Sequence, residues 1–221
     1  MAPDKPANQL FATQYSRAGY LLQQQEQVWQ AIPAIEDYIA PLIEQLPPSY
    51  QERQPGVWVG PDTEIAPTAL IEGPGIIGSG CQIRHNAFIR GRIICGDQVV
   101  IGNTTEVKNA ILFDRVQLPH FNYVGDAILG YRAHLGAGAV VSNFKSQGDE
   151  VHVYWQGQKI RSGLQKLGAL LGDYAEIGCN AVLNPGTIIG RRSIIYPLVS
   201  VRGNIPADTI VKGDGQHYPR R

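Results

Sequence analysis

From Val59 onward, every sixth residue is apolar for ten successive steps: Val59, Ile65, Ile71, Ile77, Ile83, Ile89, Cys95, Ile101, Val107 and Phe113. With 43% of the chain apolar, a fixed window would do this by chance with a probability of about 0.0002. The spacing returns at Leu129, Leu135 and Val141, and again at Leu171, Ile177, Leu183, Ile189, Ile195 and Val201. A period of six fits neither an α-helix nor the two-residue alternation of a half-buried strand. It fits an all-β solenoid in which each hexad forms one flat face and its apolar residue fills the core. Three hexads close a triangular coil, so residues about 18 apart stack on one another, and the repeats account for about six coils. Glycine follows the core slot at 60, 78, 96, 102, 130, 136, 172, 178 and 190, where a tight corner favours a residue without a Cβ.

Residues 1–50 depart from the hexad rule. Pro33 opens a segment in which Ile35, Ile39, Leu42, Ile43 and Leu46 recur at helical spacing, with Pro47-Pro48 as the stop. The Gln-rich stretch from Tyr20 to Val28 also reads as helical. These residues are expected to form an N-terminal helical arm that packs on the solenoid, its own or a neighbouring subunit's; the alternative is a partner-binding arm. The repeat itself is interrupted twice. Between Phe113 and Leu129 its phase shifts across Asp114–Asp126. Between Val141 and Leu171 a loop of about residues 145–170 is extruded, and Val151-His-Val-Tyr-Trp155 followed by Gln156-Gly157 predicts a small hairpin within it. The domain plan is therefore an arm over 1–50, a solenoid over 51–213 and a C-terminal tail over 214–221.

Lys plus Arg and Asp plus Glu are equal at 19 each, so bulk charge points to neither nucleic acid nor a membrane surface. Three cysteines without a CxxC spacing, Cys81, Cys95 and Cys179, give no disulfide framework and no zinc motif. The polar start MAPDKPANQ lacks the apolar core of a signal peptide, and no apolar run reaches membrane-spanning length. A cytoplasmic protein is expected.

Among the residues directly after a core slot that are not glycine, Arg90 follows Ile89 and Lys108 follows Val107. They fall on successive coils, about 5 Å apart by ordinary inter-strand spacing. Stacked like charges are unfavourable, so either an anion such as a phosphate lies between them or the two side chains splay into solvent. His120 lies in the first interruption, within about one coil of Lys108. An imidazole that titrates near neutrality suits proton abstraction from an attacking amine or hydroxyl; the plainer reading is a surface-loop histidine. The five histidines, His85, His120, His134, His152 and His217, lack the closely spaced pair that a three-histidine catalytic zinc requires, and no metal site is expected. Leu135-Gly136-Ala137-Gly138-Ala139 is either ordinary corner chemistry or a place where backbone approaches a thin ligand such as the pantetheine arm of coenzyme A. No P-loop or GxGxxG element is present.

The run Glu106-Val-Lys108-Asn-Ala, Pro119-His120-Phe-Asn-Tyr123-Val-Gly-Asp126, Leu135-Gly-Ala137-Gly and Ser142-Asn143-Phe144 resembles one family in order and spacing. It is the acetyltransferase domain of bacterial bifunctional N-acetylglucosamine-1-phosphate uridyltransferase/glucosamine-1-phosphate N-acetyltransferase. The run looks closer still to the stand-alone UDP-N-acetylglucosamine pyrophosphorylase-related β-helix proteins, and the likeness covers about residues 56–213. The resemblance implies a left-handed parallel β-helix of hexapeptide repeats, a homotrimer, and acetyl-CoA as the acyl donor to an amino-sugar phosphate or a nucleotide-linked amino sugar. It implies His120 as general base, Arg90, Lys108 and Tyr123 on the sugar phosphate, and Ala137, Asn143, Phe144, Cys179 and Pro197 on the acetyl-CoA side. His134 stands where the family usually carries a sugar-contacting Asn. The nucleotidyltransferase signature of the bifunctional proteins is absent, so no uridyltransferase activity is expected. The rival reading is a non-catalytic sugar-nucleotide-binding or assembly module that keeps the fold.

Overall fold

The computed structural model describes residues 6–220, and the first five residues of the polar start MAPDKPANQ lie outside them. The expected solenoid is present. Successive strands pair in parallel about one coil apart, as in Val57–Val59 with Gly75–Ile77 and Gln82–Ile83 with Val100–Ile101. Three faces result. Face one runs from Val57–Val59 to Asn204–Ile205. Face two runs from Glu64–Ile65 to Thr209–Val211. Face three runs from Leu70–Glu72 to Ser200–Val201. Face two belongs to a nine-stranded sheet whose strands are all parallel except the last, His217–Pro219, which folds back on Thr209–Val211 and closes the end. That makes eight coils rather than about six, because the stack runs unbroken through both interruptions and past Val201.

The first interruption is not an irregular segment. Gln117–His120 and Tyr123–Leu129 are ordinary rungs, and the change of phase is one missing residue at each of two corners. Phe88 pairs with Glu106, 18 residues on, whereas Ile93 pairs with Ala110 and Glu106 with Tyr123, each 17 on. At these levels Glu106–Leu112 and Tyr123–Leu129 run round the corner between faces three and one as single seven-residue strands. Asn109 and Asp126 make the turn with φ of 47° and 49°, and Asn109 Nδ2 donates to Asp126 Oδ1 at 2.7 Å. The inward residue of this coil is therefore Leu112, which pairs with Cys95. Phe113 occupies the corner instead, and its ring meets Phe11 of the arm at 5.2 Å.

The corner glycines serve close approach rather than an unusual backbone angle. A Cβ on Gly78 would lie 2.1 Å from the Gly96 carbonyl oxygen, and one on Gly102 would lie 1.7 Å from that of Pro119. The left-handed residue comes two positions later, at Gln98, Arg115, Arg132 and Tyr174, and each turns the corner despite its side chain.

Face one is apolar on both sides. Its outward row, Ile76, Ile94, Ile111, Ile128, Leu170 and Ile188, is buried, as a sheet covered on both faces requires. The helix Ile35–Ile43 covers the lower coils, and the extruded hairpin, His152–Trp155 with Gln158–Arg161, covers the upper ones. The arm thus lies on its own solenoid. Asp173 N donates to Leu10 O at 3.0 Å while Ala12 N donates to Asp173 Oδ2 at 2.8 Å, Arg17 pairs with Asp97 at 2.9 Å, and Tyr15 stacks on Tyr131 at 4.1 Å. The hairpin turns at Gln156 and Gly157, both with positive φ, which matches the strand twist of a two-residue turn.

Candidate functional site

His120 sits at the corner between faces two and three, exposed at the end of the strand Gln117–His120. Its carbonyl accepts Gly138 N at 3.0 Å; Ala137 O in turn accepts Asn180 N at 2.9 Å, and Cys179 O accepts Leu198 N at 3.0 Å. Ala137, Cys179 and Pro197 therefore occupy the same corner position as His120 on the three coils beyond it. Three of the five residues implied on the acetyl-CoA side thus form one column with the implied base, and backbone hydrogen bonds between coils fix their spacing.

Around the corner, face three presents two rows of outward side chains. Phe88, Glu106 and Tyr123 form the row nearer His120; Arg90 and Lys108 form the second, with Gly125 above them. A Cβ on Gly125 would fall 2.7 Å from the Tyr123 hydroxyl, so the tyrosine ring lies across Gly125. Its hydroxyl thereby sits on the coil above Lys108, in line with Lys108 and Arg90. Burial, together with the carboxylates of Glu106 and Asp126, pushes the Tyr123 phenol above its ordinary value, so it remains a neutral donor at physiological pH. Arg90 is not left facing Lys108 alone. It donates to Glu106 Oε1 at 2.8 Å and lies over the Phe88 ring at 5.8 Å.

The remaining implied residues lie elsewhere. His134 is on face two, with Nδ1 2.8 Å from Glu176 Oε2, and helps line a concavity of about 800 Å³ with Gln117, Arg115, Arg132 and Tyr174. Asn143 lies at the corner between faces three and one, buried, with its amide donating to Asp126 Oδ2. Asp126 is thus held from both sides, by Asn109 and Asn143. Phe144 is exposed beside Asn143 and forms a lone bridge with Lys166. Within this one chain, neither Asn143 nor Phe144 joins the column of Ala137, Cys179 and Pro197. Among the described residues, no three His, Cys, Asp or Glu side chains gather as a metal site.

Two contributors went unnoticed in the sequence. Glu106 neutralises Arg90. Asn122 occupies the inward corner position where Ala87, Ala139 and Ala181 stand on other coils, and it is buried. Its Nδ2 donates to Gly136 O at 2.8 Å and Ala139 O at 3.2 Å, and its Oδ1 accepts His120 N at 3.3 Å. A buried amide in a column of small or apolar residues, Ala87, Thr105, Ala139, Ala181 and Val199, was the available signal.

Residues 71–157 match the family described as the GMPPB C-terminal domain. The chain is 36% identical over 112 residues to a bifunctional sugar-1-phosphate nucleotidylyltransferase/acetyltransferase from Sulfurisphaera tokodaii, covering 51% of this chain and 28% of that protein. It is 31% identical over 125 residues to the bifunctional protein GlmU of Methanococcus maripaludis, covering 57% of this chain and 30% of the relative. The resemblance drawn from the sequence is borne out. The chain spans less than a third of the length of these bifunctional relatives. An acetyltransferase-named protein of more similar size, YaiX of Escherichia coli, is 33% identical over 153 residues, 69% of this chain and 66% of the relative. Among solved structures, the fold is similar to PerB from Caulobacter crescentus, in complex with CoA and GDP-perosamine, at 18% identity and a TM-score of 0.42 over 71% of this chain and 56% of that one.

Proposed function

We propose that this chain is an acetyl-CoA-dependent N-acetyltransferase acting on an amino-sugar phosphate or a nucleotide-linked amino sugar. One observation carries the reading: His120 stands where the column of Ala137, Cys179 and Pro197 meets the face bearing Arg90, Lys108 and Tyr123. In the reaction, the acceptor amine attacks the thioester carbonyl and His120 takes the amine's proton. Collapse of the tetrahedral intermediate breaks the C–S bond, and His120 returns the proton to the departing thiolate, leaving the acetylated amine and the coenzyme A thiol. The phosphate of the acceptor lies along the line of Lys108, the Tyr123 hydroxyl and Arg90, the last exchanging Glu106 for the phosphate.

We infer further that the chain acts as a homotrimer with its sites between subunits. Face one is covered by the chain's own arm and hairpin, which leaves faces two and three for partner copies. The edge between them exposes Phe121 at 59% beside His120 and, three coils farther along, Leu198 at 80%, apolar side chains that a neighbour would bury. A neighbouring copy is also the source from which Asn143 and Phe144 would reach the acetyl-CoA column. No described helix is long and apolar enough to cross a membrane, and the three cysteines are free, which supports a reducing, cytoplasmic setting. Residues 1–50 are taken as the arm, 51–213 as the transferase domain and 214–221 as the tail.

The test is release of coenzyme A thiol from acetyl-CoA across a panel of amino-sugar phosphates and nucleotide-linked amino sugars. Acceptor-dependent release, lost in His120→Ala, supports transfer. Tight acceptor binding without release would favour the non-catalytic reading.

A further inference from the structure

The extruded hairpin does more than cover apolar surface. Where it meets the corner between faces three and one, it encloses a pocket of about 120 Å³ lined by Lys145, His152, Tyr154, Lys159, Pro185, Arg202 and Gly203. Three full cations, an imidazole and a phenol face this space, and no carboxylate lines it. Nearby acids are engaged. Glu150 gives its carboxylate to Arg161 at 2.6 Å and to Gly163 N at 2.7 Å. Asp149 approaches Lys145 only at 3.9 Å and is largely exposed, a contact of little energetic weight. Lys145 also donates to Glu150 O at 3.0 Å. Arg202 reaches Asn184 Oδ1 at 3.4 Å, and among the described residues Lys159 has no hydrogen-bond or ion-pair partner.

The hairpin that frames the pocket is anchored to the solenoid. Val151, Val153 and Trp155 are buried beneath the hairpin, and Ser162 Oγ donates to Val151 O at 2.6 Å. A Cβ on Gly186 would lie 2.5 Å from His152 O, so the base of the hairpin rests directly on the coil. Convergent cations held this way repel one another, and an anion with several acceptor oxygens relieves that repulsion. The volume equals that of roughly four liquid waters at ~30 Å³ each, enough for one phosphoryl group and too little for a nucleoside.

We propose that the hairpin pocket binds a phosphoryl group, through Lys145, Lys159 and Arg202. The site lies apart from the row of Arg90, Lys108 and Tyr123, and it goes beyond the transferase reading without resting on it. The phosphoryl group can come from inorganic phosphate or another phosphate monoester, or from the 3′-phosphate of coenzyme A. Calorimetric titration at low salt separates these sources.

Full-length protein is titrated with inorganic phosphate, coenzyme A and 3′-dephospho-coenzyme A, as wild type and as Lys159→Ala and Arg202→Ala. Both residues are exposed, and unchanged melting curves verify folding. If the 3′-phosphate is the occupant, wild type prefers coenzyme A over its dephospho form, and each variant loses that preference by roughly tenfold, one charge-assisted contact. If the occupant is another phosphate, inorganic phosphate binding falls by about the same factor while coenzyme A affinity is unchanged. The proposal is overturned if neither variant alters affinity for inorganic phosphate or the preference between the two coenzyme forms.

Discussion

Asn122→Ala isolates what holds the histidine corner in place. The wild-type amide donates to Gly136 O and Ala139 O and accepts His120 N. Alanine fits the backbone, because Ala139 fills the same position on the next coil and Ala87 and Ala181 fill it two coils away on either side. After truncation, Gly136 O keeps its bond from Ala139 N at 3.1 Å, and His120 N, at an exposed corner, can turn to water. Ala139 O loses the amide donor within the protein. One under-satisfied buried carbonyl costs about 1–3 kcal/mol, and the small void left by the amide adds to it, so about 2 kcal/mol of destabilisation is expected. For a chain of this size that lowers the melting temperature by about 4–8 °C. The second consequence concerns His120, whose backbone is no longer tied to the coil carrying Ala137. Measured well below both melting temperatures, thiol release should fall about tenfold in kcat, with the acceptor KM much less affected, since positioning acts on the transition state. Calorimetry and a steady-state thiol assay give the two readouts. A melting temperature within about a degree of wild type, together with an unchanged kcat, would refute both the hydrogen-bond accounting and the positioning role.

Three further outcomes follow from the site. His120→Ala should lower acetyl transfer by about 10²–10⁴-fold, the usual worth of a positioned base, while acetyl-CoA affinity stays within a few-fold of wild type; an unchanged rate removes His120 from the mechanism. Arg90→Ala and Lys108→Ala should each weaken a phosphorylated acceptor about tenfold without unfolding the protein, and equal titration curves for both variants and wild type would dissociate the row from phosphate. Sedimentation at micromolar concentration should give three times the monomer mass of 24.2 kDa, and a monomer would defeat the shared-site arrangement.

How much of this was legible in the sequence depends on which contacts repeat. The core was legible because each inward residue meets its equivalent one coil away, so a single spacing is imposed again and again from Val59 to Val201. Phe113 was misplaced for the same reason: the six-residue rule counted through the corner at Asn109, where one residue is missing, and nothing apolar marks that loss. The chemical site was legible only in part. Arg90 and Lys108 stood out because cations replaced the glycine that follows a core slot. Glu106 did not, since it occupies an outward strand position where any polar residue is tolerated, and its pairing with Arg90 becomes visible only when adjacent coils are laid in register. The arm was read as helical from its own apolar spacing, yet its target could not be read, because the outward isoleucines of face one carry no spacing separate from the core positions beside them. Ile76, Ile94 and Ile111 look like surplus core in a one-dimensional pattern. In the folded chain they are a second apolar surface, which the chain's own arm and hairpin cover, so that faces two and three stay open. The placement of the arm thus bears directly on the proposed trimer, in which a partner copy would approach face two or face three.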